Sequence, residues 1–148
     1  MIIEADLNHL EELAPLFDSY RVFYKQDSDL EKGKAFLKSR IENNESIIYM
    51  FYKDGKAVGF TQLYPKYSSA RLIKNWILND LYVDENYRRE GIAKQLINKA
   101  VTFAKDQEAK FIQLETQNSN RNAQLLYHKM NFQIQDSDQE FILFKRFL

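Results

Sequence analysis

The stretch with the most chemical content runs Asn79-Asp80-Leu81-Tyr82-Val83-Asp84-Glu85-Asn86-Tyr87-Arg88-Arg89-Glu90-Gly91-Ile92-Ala93-Lys94. A strand-like run ends near Val83, a polar loop follows, and from about Gly91 apolar residues recur at helical spacing. The first turn of a helix leaves its backbone N–H groups without intrahelical partners, and its dipole favours an anion there. Gly91 and Ala93 add almost no side chain where a phosphate must approach those amides, and Arg88 and Arg89 bring positive charge on the same loop. The pattern is that of a pyrophosphate cradle. Spacing alone is equally compatible with a plain loop carrying two solvated arginines before a surface helix. Two better-known phosphate loops are absent: no G-x-x-x-x-G-K-[ST] occurs, and glycines at 33, 55, 59 and 91 cannot form G-x-G-x-x-G.

Composition removes other chemistries. There is no Cys, which excludes disulfide frameworks, thiolate nucleophiles and cysteine zinc sites together. The two His, His9 and His128, are far from metal-ligand spacing, so no metal is expected. Lys+Arg and Asp+Glu number 21 each, so no net field favours nucleic acid or an anionic membrane. The acidic N-terminal segment has no signal-peptide layout, and the longest apolar run, Ile47 to Tyr52, is too short to span a bilayer. A cytoplasmic location is the expectation, and Asn44-Glu45-Ser46 is then a chance glycosylation match.

The elements that must position the loop are legible in outline. With 148 residues, 45% of them apolar, and no Pro/Gly/Ser-rich linker, one domain over 1–148 is expected. Ile2 to Ala5 reads as a strand, and Leu10, Leu13, Ala14 and Phe17 form a helical face that Pro15 should kink or interrupt. Asp29 can cap a second helix to about Asn43, with Leu30, Leu37 and Ile41 inward. Ile47–Lys53, an Asp54-Gly55 turn and Ala57–Tyr64 read as a hairpin, followed by a strand over Ile77–Val83. A helix over Gly91–Gln107, a strand over Phe111–Thr116, a short helix capped by Asn120, and strands at Phe132–Gln135 and Phe141–Phe147 complete an α/β chain with a mixed sheet.

Arg88-Arg89-Glu90-Gly91-Ile92-Ala93 resembles the [QR]-x-x-G-x-[GA] motif of the GCN5-related N-acetyltransferase (GNAT) superfamily, and it follows a Leu-Tyr-Val strand as in that family. Downstream, Asn120-Arg121-Asn122-Ala123-Gln124-Leu125-Leu126-Tyr127-His128-Lys129-Met130-Asn131-Phe132 is similar to the second motif, N-x-x-A-x-x-L-Y-x-x-x-G-F. Asn131 stands where glycine is usual, and Asn tolerates the left-handed conformation a helix end requires.

The resemblance implies a GNAT fold: a mixed, mostly antiparallel central sheet with two splayed parallel strands and helices on both faces. It implies acetyl-CoA as cosubstrate, with no metal, and direct transfer of acetyl to the primary amine of a small molecule such as a polyamine or amino acid. The alternatives are a catalytically silent acyl-CoA-binding module, or transfer to a protein lysine or N-terminus. By the same resemblance the pantetheine arm runs along backbone groups of Leu81 and Val83, and amides from Arg89 through Glu90, Gly91, Ile92 and Ala93 to Lys94 hold the pyrophosphate. Arg88 or Arg89 assists, Asn120 and Asn122 position the arm from the other side, and a backbone N–H near Leu81 or Tyr82 meets the oxyanion. Tyr127 is the implied acid for the departing thiolate, and otherwise reads as a core aromatic. An alkyl ammonium, with pKa near ~10, needs a base. Glu115 and Asp80 are the two candidates, Glu115 ranked slightly first, and strand alternation admits only the one facing the cleft.

The acceptor site is less marked. Tyr20-Arg21-Val22-Phe23-Tyr24 is expected in the connection between the first two helices, and Lys66, Arg71 and Lys74 in a basic loop suited to an acceptor carboxylate. A homodimer is an expectation from the family, through the aromatic Phe141-Ile142-Leu143-Phe144 segment, although its composition also fits a buried strand.

Overall fold

A computed structural model describes residues 1–148. The strands are β1 (Ile2–Glu4), β2 (Ile47–Lys53), β3 (Lys56–Ser68), β4 (Ile73–Val83), β5 (Phe111–Gln117), β6 (Gln133–Ser137) and β7 (Phe141–Phe147). The helices are α1 (Leu10–Phe23), α2 (Leu30–Glu42), α3 (Ile92–Asp106) and α4 (Arg121–Lys129), with 3-10 turns at Leu7–His9 and Glu85–Tyr87. The strands form one sheet in the order β1-β2-β3-β4-β5-β7-β6. Every pairing is antiparallel except β4 with β5.

That parallel pair is held at only two registers, Trp76 with Ile112 and Ile77 with Gln113. Beyond them β4 continues to Val83 and β5 to Gln117 without pairing, so the sheet opens into a gap. A bulge helps to cause it. Gln62 and Leu63 of β3 face Asp80 and Leu78 of β4, leaving Asn79 as an extra residue. An inserted residue bends its strand and sharpens the twist, steering β4 away from β5.

The bulge also resets which face each side chain takes. Trp76 and Leu78 belong to the core packed under α3 and α4. Strict alternation would send Asp80 there too; with Asn79 inserted, Leu81 and Val83 join that core, and Asp80 faces α1 and α2 instead.

Each face is closed by one apolar layer. On one side Ile92, Leu96, Ile97, Ala100, Val101 and Ala104 of α3 pack with Ile112, Leu114, Tyr127, Met130, Phe132 and Phe144. Gly59 of β3 lets α3 come this close, because a Cβ there would sit 3.1 Å from the Tyr82 carbonyl oxygen and 3.4 Å from Ile92 Cγ2. On the other side Leu10, Leu13, Leu16 and Phe17 of α1 and Leu37 of α2 cover Ile48, Met50 and Phe60. Leu30, expected inward, is 43% exposed because it opens α2 beyond the edge of this layer.

Pro15 does not end α1, which runs unbroken from Leu10 to Phe23. It lies early in the helix, and the lost N–H bond to Glu11 is outweighed by the apolar face on either side of it. Asp54 and Gly55 both take positive φ, 51° and 78°, as a two-residue hairpin turn between β2 and β3 requires. β3 and β4 extend well past their expected lengths, since their outer ends pair with each other from Pro65–Trp76 to Ser68–Ile73. β7 is interior to the sheet, between β5 and β6, and buries Ile142 and Phe144. No helix is long and apolar enough to cross a membrane.

Candidate functional site at the opening between the parallel strands

Gly91 sits at the N-cap of α3 with φ 78°, and the first helical bond is donated by the Gln95 amide to the Gly91 carbonyl. The amides of Gly91, Ile92, Ala93 and Lys94 therefore precede the helical ladder. A left-handed residue followed by right-handed ones turns successive N–H groups to one side, the shape that receives a phosphate. A Cβ built on Gly91 meets nothing within 4 Å, so the space beside this residue is open. Arg89 also adopts positive φ, 66°, which costs about 1–2 kcal/mol for a residue with a side chain. Such strain concentrates where a loop is shaped for a ligand.

The side chains of the loop take distinct places. Arg88 donates through Nε to the Val83 carbonyl at 3.0 Å, and its guanidinium lies over the rings of Phe23 and Tyr82, at 5.5 and 5.6 Å. It ties the loop to the end of β4 and faces the α1 side. Arg89 is exposed and joins none of the ion pairs, so it is the arginine of the pair that remains for an anion. The Glu90 carboxylate is bonded to Lys53, whose charge offsets it.

Across the gap, Asn120 caps α4 by accepting from the Ala123 amide at 3.2 Å, leaving its NH2 group uncommitted. Asn122 is exposed in the first turn. Tyr127 projects from α4 into an aromatic corner, with ring centroids 6.0 Å from Phe132 and 5.6 Å from Phe144. Burial pushes its phenol up, with the Tyr24 phenol adding to the effect, so it stays protonated throughout the neutral range. Asn131 ends the helix at φ 67°, the left-handed geometry expected of it.

Asp80 lies at the floor of a second, side-chain-built space. It is 5% exposed. Gln62 Nε2 donates to it at 2.7 Å and Asn79 Nδ2 at 3.1 Å, while Ser46 donates to Gln62 Oε1 at 2.8 Å and so fixes the amide's orientation. Thr61 Oγ1 holds the backbone by donating to the Asp80 carbonyl at 2.8 Å. Burial raises the carboxyl above the usual carboxylate range, and the neighbouring Tyr20, Gln62 and Asn79 only partly oppose it. The same carboxylate, after burial, pushes up the phenols of Tyr20 and Tyr24, and Tyr64 is pushed up to about 12.

Phe17, Tyr20, Arg21, Lys32, Gly33, Phe36, Tyr64, Asn79 and Asp80 line this cleft of about 280 Å³. Gly33 gives the wall room, since a Cβ there would lie 3.2 Å from the Phe17 ring.

Several expected placements change. Tyr20 to Phe23 form the last turn of α1, not the connection after it. Glu115 is exposed; it alternates with Leu114 of the α3-side core and pairs with Leu143, and it does not line the Asp80 cleft. Lys66 and Lys74 lie at the outer end of the β3–β4 hairpin, where Lys74 rests over the rings of Tyr67 and Trp76. At about 3.3 Å per residue, Lys74 is roughly 20 Å along the strand from Asp80. The contributions of Gln62, Asn79, Tyr64, Lys32 and Phe36 had no motif to announce them; they meet only when β3, β4 and α2 pack together.

The sequence matches the acetyltransferase (GNAT) family model over residues 10–132. It is 41% identical to an uncharacterized N-acetyltransferase, YhfO, of Bacillus subtilis, over 89% of each chain. A probable acetyltransferase of Haemophilus influenzae is 37% identical, covering 69% of this chain and 70% of that one. A crystal structure of a probable acetyltransferase superposes with a TM-score of 0.88 at 40% identity, over 93% of this chain and 91% of that one. The family match over most of the chain, the identity to these relatives and the shared fold agree, and the chain belongs to the GNAT family as an acetyl-CoA-dependent N-acetyltransferase.

Proposed function

We propose that the chain works as one domain that transfers acetyl directly to the primary amine of a small molecule, with Asp80 as general base and Tyr127 as general acid. The observation that carries this reading is the placement of a buried, proton-attracting carboxylate at the floor of a cleft on the α1–α2 side of the gap. A protonated phenol stands on the opposite side. Acetyl-CoA, when bound, supplies the acetyl group as a thioester, and the four open amides at Gly91–Lys94 with exposed Arg89 suit its diphosphate.

The chemistry of the protein's own groups follows in order. An amine enters as an ammonium, and Asp80 takes its proton; a carboxyl raised by burial is a stronger base than an exposed one. The free edge of β4 between Leu78 and Val83 offers N–H groups, near Leu81 or Tyr82, for the oxyanion that develops on attack. Tyr127 donates its proton to the leaving thiolate, a role for which a phenol raised by burial remains loaded. The cleft of about 280 Å³ between α1, α2 and the sheet has room for a small molecule at Asp80, which supports a small amine as acceptor.

A free-thiol assay with acetyl-CoA against alkylamines, amino acids and peptides tests the reading. Thiol release with at least one small primary amine is expected. Turnover confined to folded protein or peptide acceptors would overturn the small-molecule assignment.

A further inference from the structure

The Asp80 cleft carries opposite charges at its two ends. Its floor is the Asp80 carboxylate, and its lining also includes Arg21 from the last turn of α1 and Lys32 from the first turn of α2. Asp80 is 5% exposed, whereas Arg21 is half-buried and Lys32 exposed, so the two cations stand at the mouth. Neither takes part in an ion pair. Two nearby acids are engaged elsewhere: Asp18 accepts from Ser28 Oγ at 2.6 Å and from the Asp29 amide at 2.9 Å, and Asp29 caps α2 by accepting from the Lys32 amide at 3.1 Å, while Glu31, exposed in the first turn of α2, forms no ion pair with either cation. Arg21 is held in place by donating to the Asp27 carbonyl at 3.0 Å. Between mouth and floor the walls are Phe17, Tyr20, Phe36 and Tyr64, which offer apolar surface and ring faces but no further charge.

We infer that the acceptor is a zwitterion: a primary amine borne on an apolar chain whose far end carries a carboxylate. The amine goes to Asp80, the chain lies along the aromatic walls, and the carboxylate meets Arg21 and Lys32. A guanidinium fork suits a carboxylate in two-point contact, and an adjacent ammonium adds to it. A diamine of the same length would bring a second cation to two unpaired cations, so the mouth selects against it. This inference rests on the reading of Asp80 as the acceptor-side base.

The test compares aminohexanoate, hexanediamine and hexylamine, equal in chain length, as acceptors with acetyl-CoA, by kcat/KM from thiol release. The wild-type enzyme is expected to prefer the amino acid over both others by about tenfold or more, the range of one charge-assisted contact. In Arg21→Gln/Lys32→Gln that preference should collapse toward one, and Lys32→Glu, a change at an exposed position that leaves the Arg21 anchor intact, should move the preference toward the diamine. An equal or greater kcat/KM for the diamine in the wild type would overturn the inference while leaving the transferase reading standing. A preference unchanged in both variants would do the same. Thiol release from none of the three, with release from peptides, would sink the small-molecule reading and this inference with it.

Discussion

On the α3 side of the gap, the groups that would hold a ligand are backbone amides of four consecutive residues, Gly91 to Lys94, whereas on the α1–α2 side they are side chains drawn from α1, α2, β3 and β4. The first kind of site depends on local conformation and charge. It tolerates many side chains provided that Gly91 keeps φ near 78° and nothing projects over the amides. The second depends on long-range packing. It exists only because the β4 bulge turns Asp80 toward α1 and because Gln62, itself oriented by Ser46, reaches it. The difference separates a binding surface that can be shared across a family from one that is specific to this chain.

Substitutions on the two sides should therefore fail in different ways. The largest effect is expected from Asp80→Asn, which keeps shape and removes the base: kcat/KM should fall by about 10²–10⁴-fold. The limb of the pH profile on which activity rises with pH should disappear as well. In the wild type that limb lies above the usual carboxylate range, because burial raises the Asp80 carboxyl. Persistence of the limb in the variant would assign it to another group.

Gly91→Arg comes next. A residue with a Cβ at φ 78° is strained, and a long side chain at the helix start competes with an anion for the space beside it, so coenzyme A affinity measured by calorimetry should drop by about 100-fold or more, equivalent to about 3 kcal/mol. Acceptor-side tyrosine fluorescence and fold should be retained. Wild-type affinity in this variant would break the contrast between the two sides.

Tyr127→Phe keeps the packing against Phe132 and Phe144 and removes only the hydroxyl. A fall in kcat of about 10–100-fold at unchanged coenzyme A affinity is expected, and equal losses in both would return Tyr127 to a packing role.

A smaller effect concerns stability. Asp80 carries a raised carboxyl in the folded chain, so between its ordinary and its raised pKa the folded state binds more protons than the unfolded one, and stability falls as pH rises through that window. Above it the ionised carboxylate is a net cost. Asp80→Asn should then raise Tm at neutral pH, and the gain should vanish below the ordinary carboxylate range, where both states are protonated. A variant less stable than wild type at pH 7 would show that the bonds from Gln62 and Asn79 outweigh the burial. The smallest effect, less than about twofold in kcat/KM at any pH, is expected for Glu115→Gln, since an ordinary exposed surface position carries little.

What could be read in the sequence divides along the same line. The cradle is a contiguous pattern, strand end, polar loop, glycine, helix, and each part has its local physical reason; Asn120 as a cap and Asn131 in the left-handed region were legible for the same cause. The acceptor pocket was not. Strand alternation ranks Asp80 with Trp76 and Leu78 unless the extra residue at Asn79 is known, and a bulge leaves no reliable mark in composition. Glu115 gained its place from sequence position alone, without the information that this part of β5 pairs with β7 and that the cleft around Asp80 is built from α1, α2, β3 and β4 instead. Lys74, attractive as a charge near β4, lies beyond the point where β3 and β4 outrun the rest of the sheet.

The placement of the coenzyme between the two sides of the gap is decided by a crystal structure with coenzyme A bound. The diphosphate is expected within hydrogen-bonding distance of the Gly91–Lys94 amides and the sulfur in the gap between β4 and β5, with the Tyr127 hydroxyl and Asp80 on opposite sides of it. A diphosphate held elsewhere, or a sulfur outside the gap with Asp80 and the Tyr127 hydroxyl on one side of it, would contradict that placement.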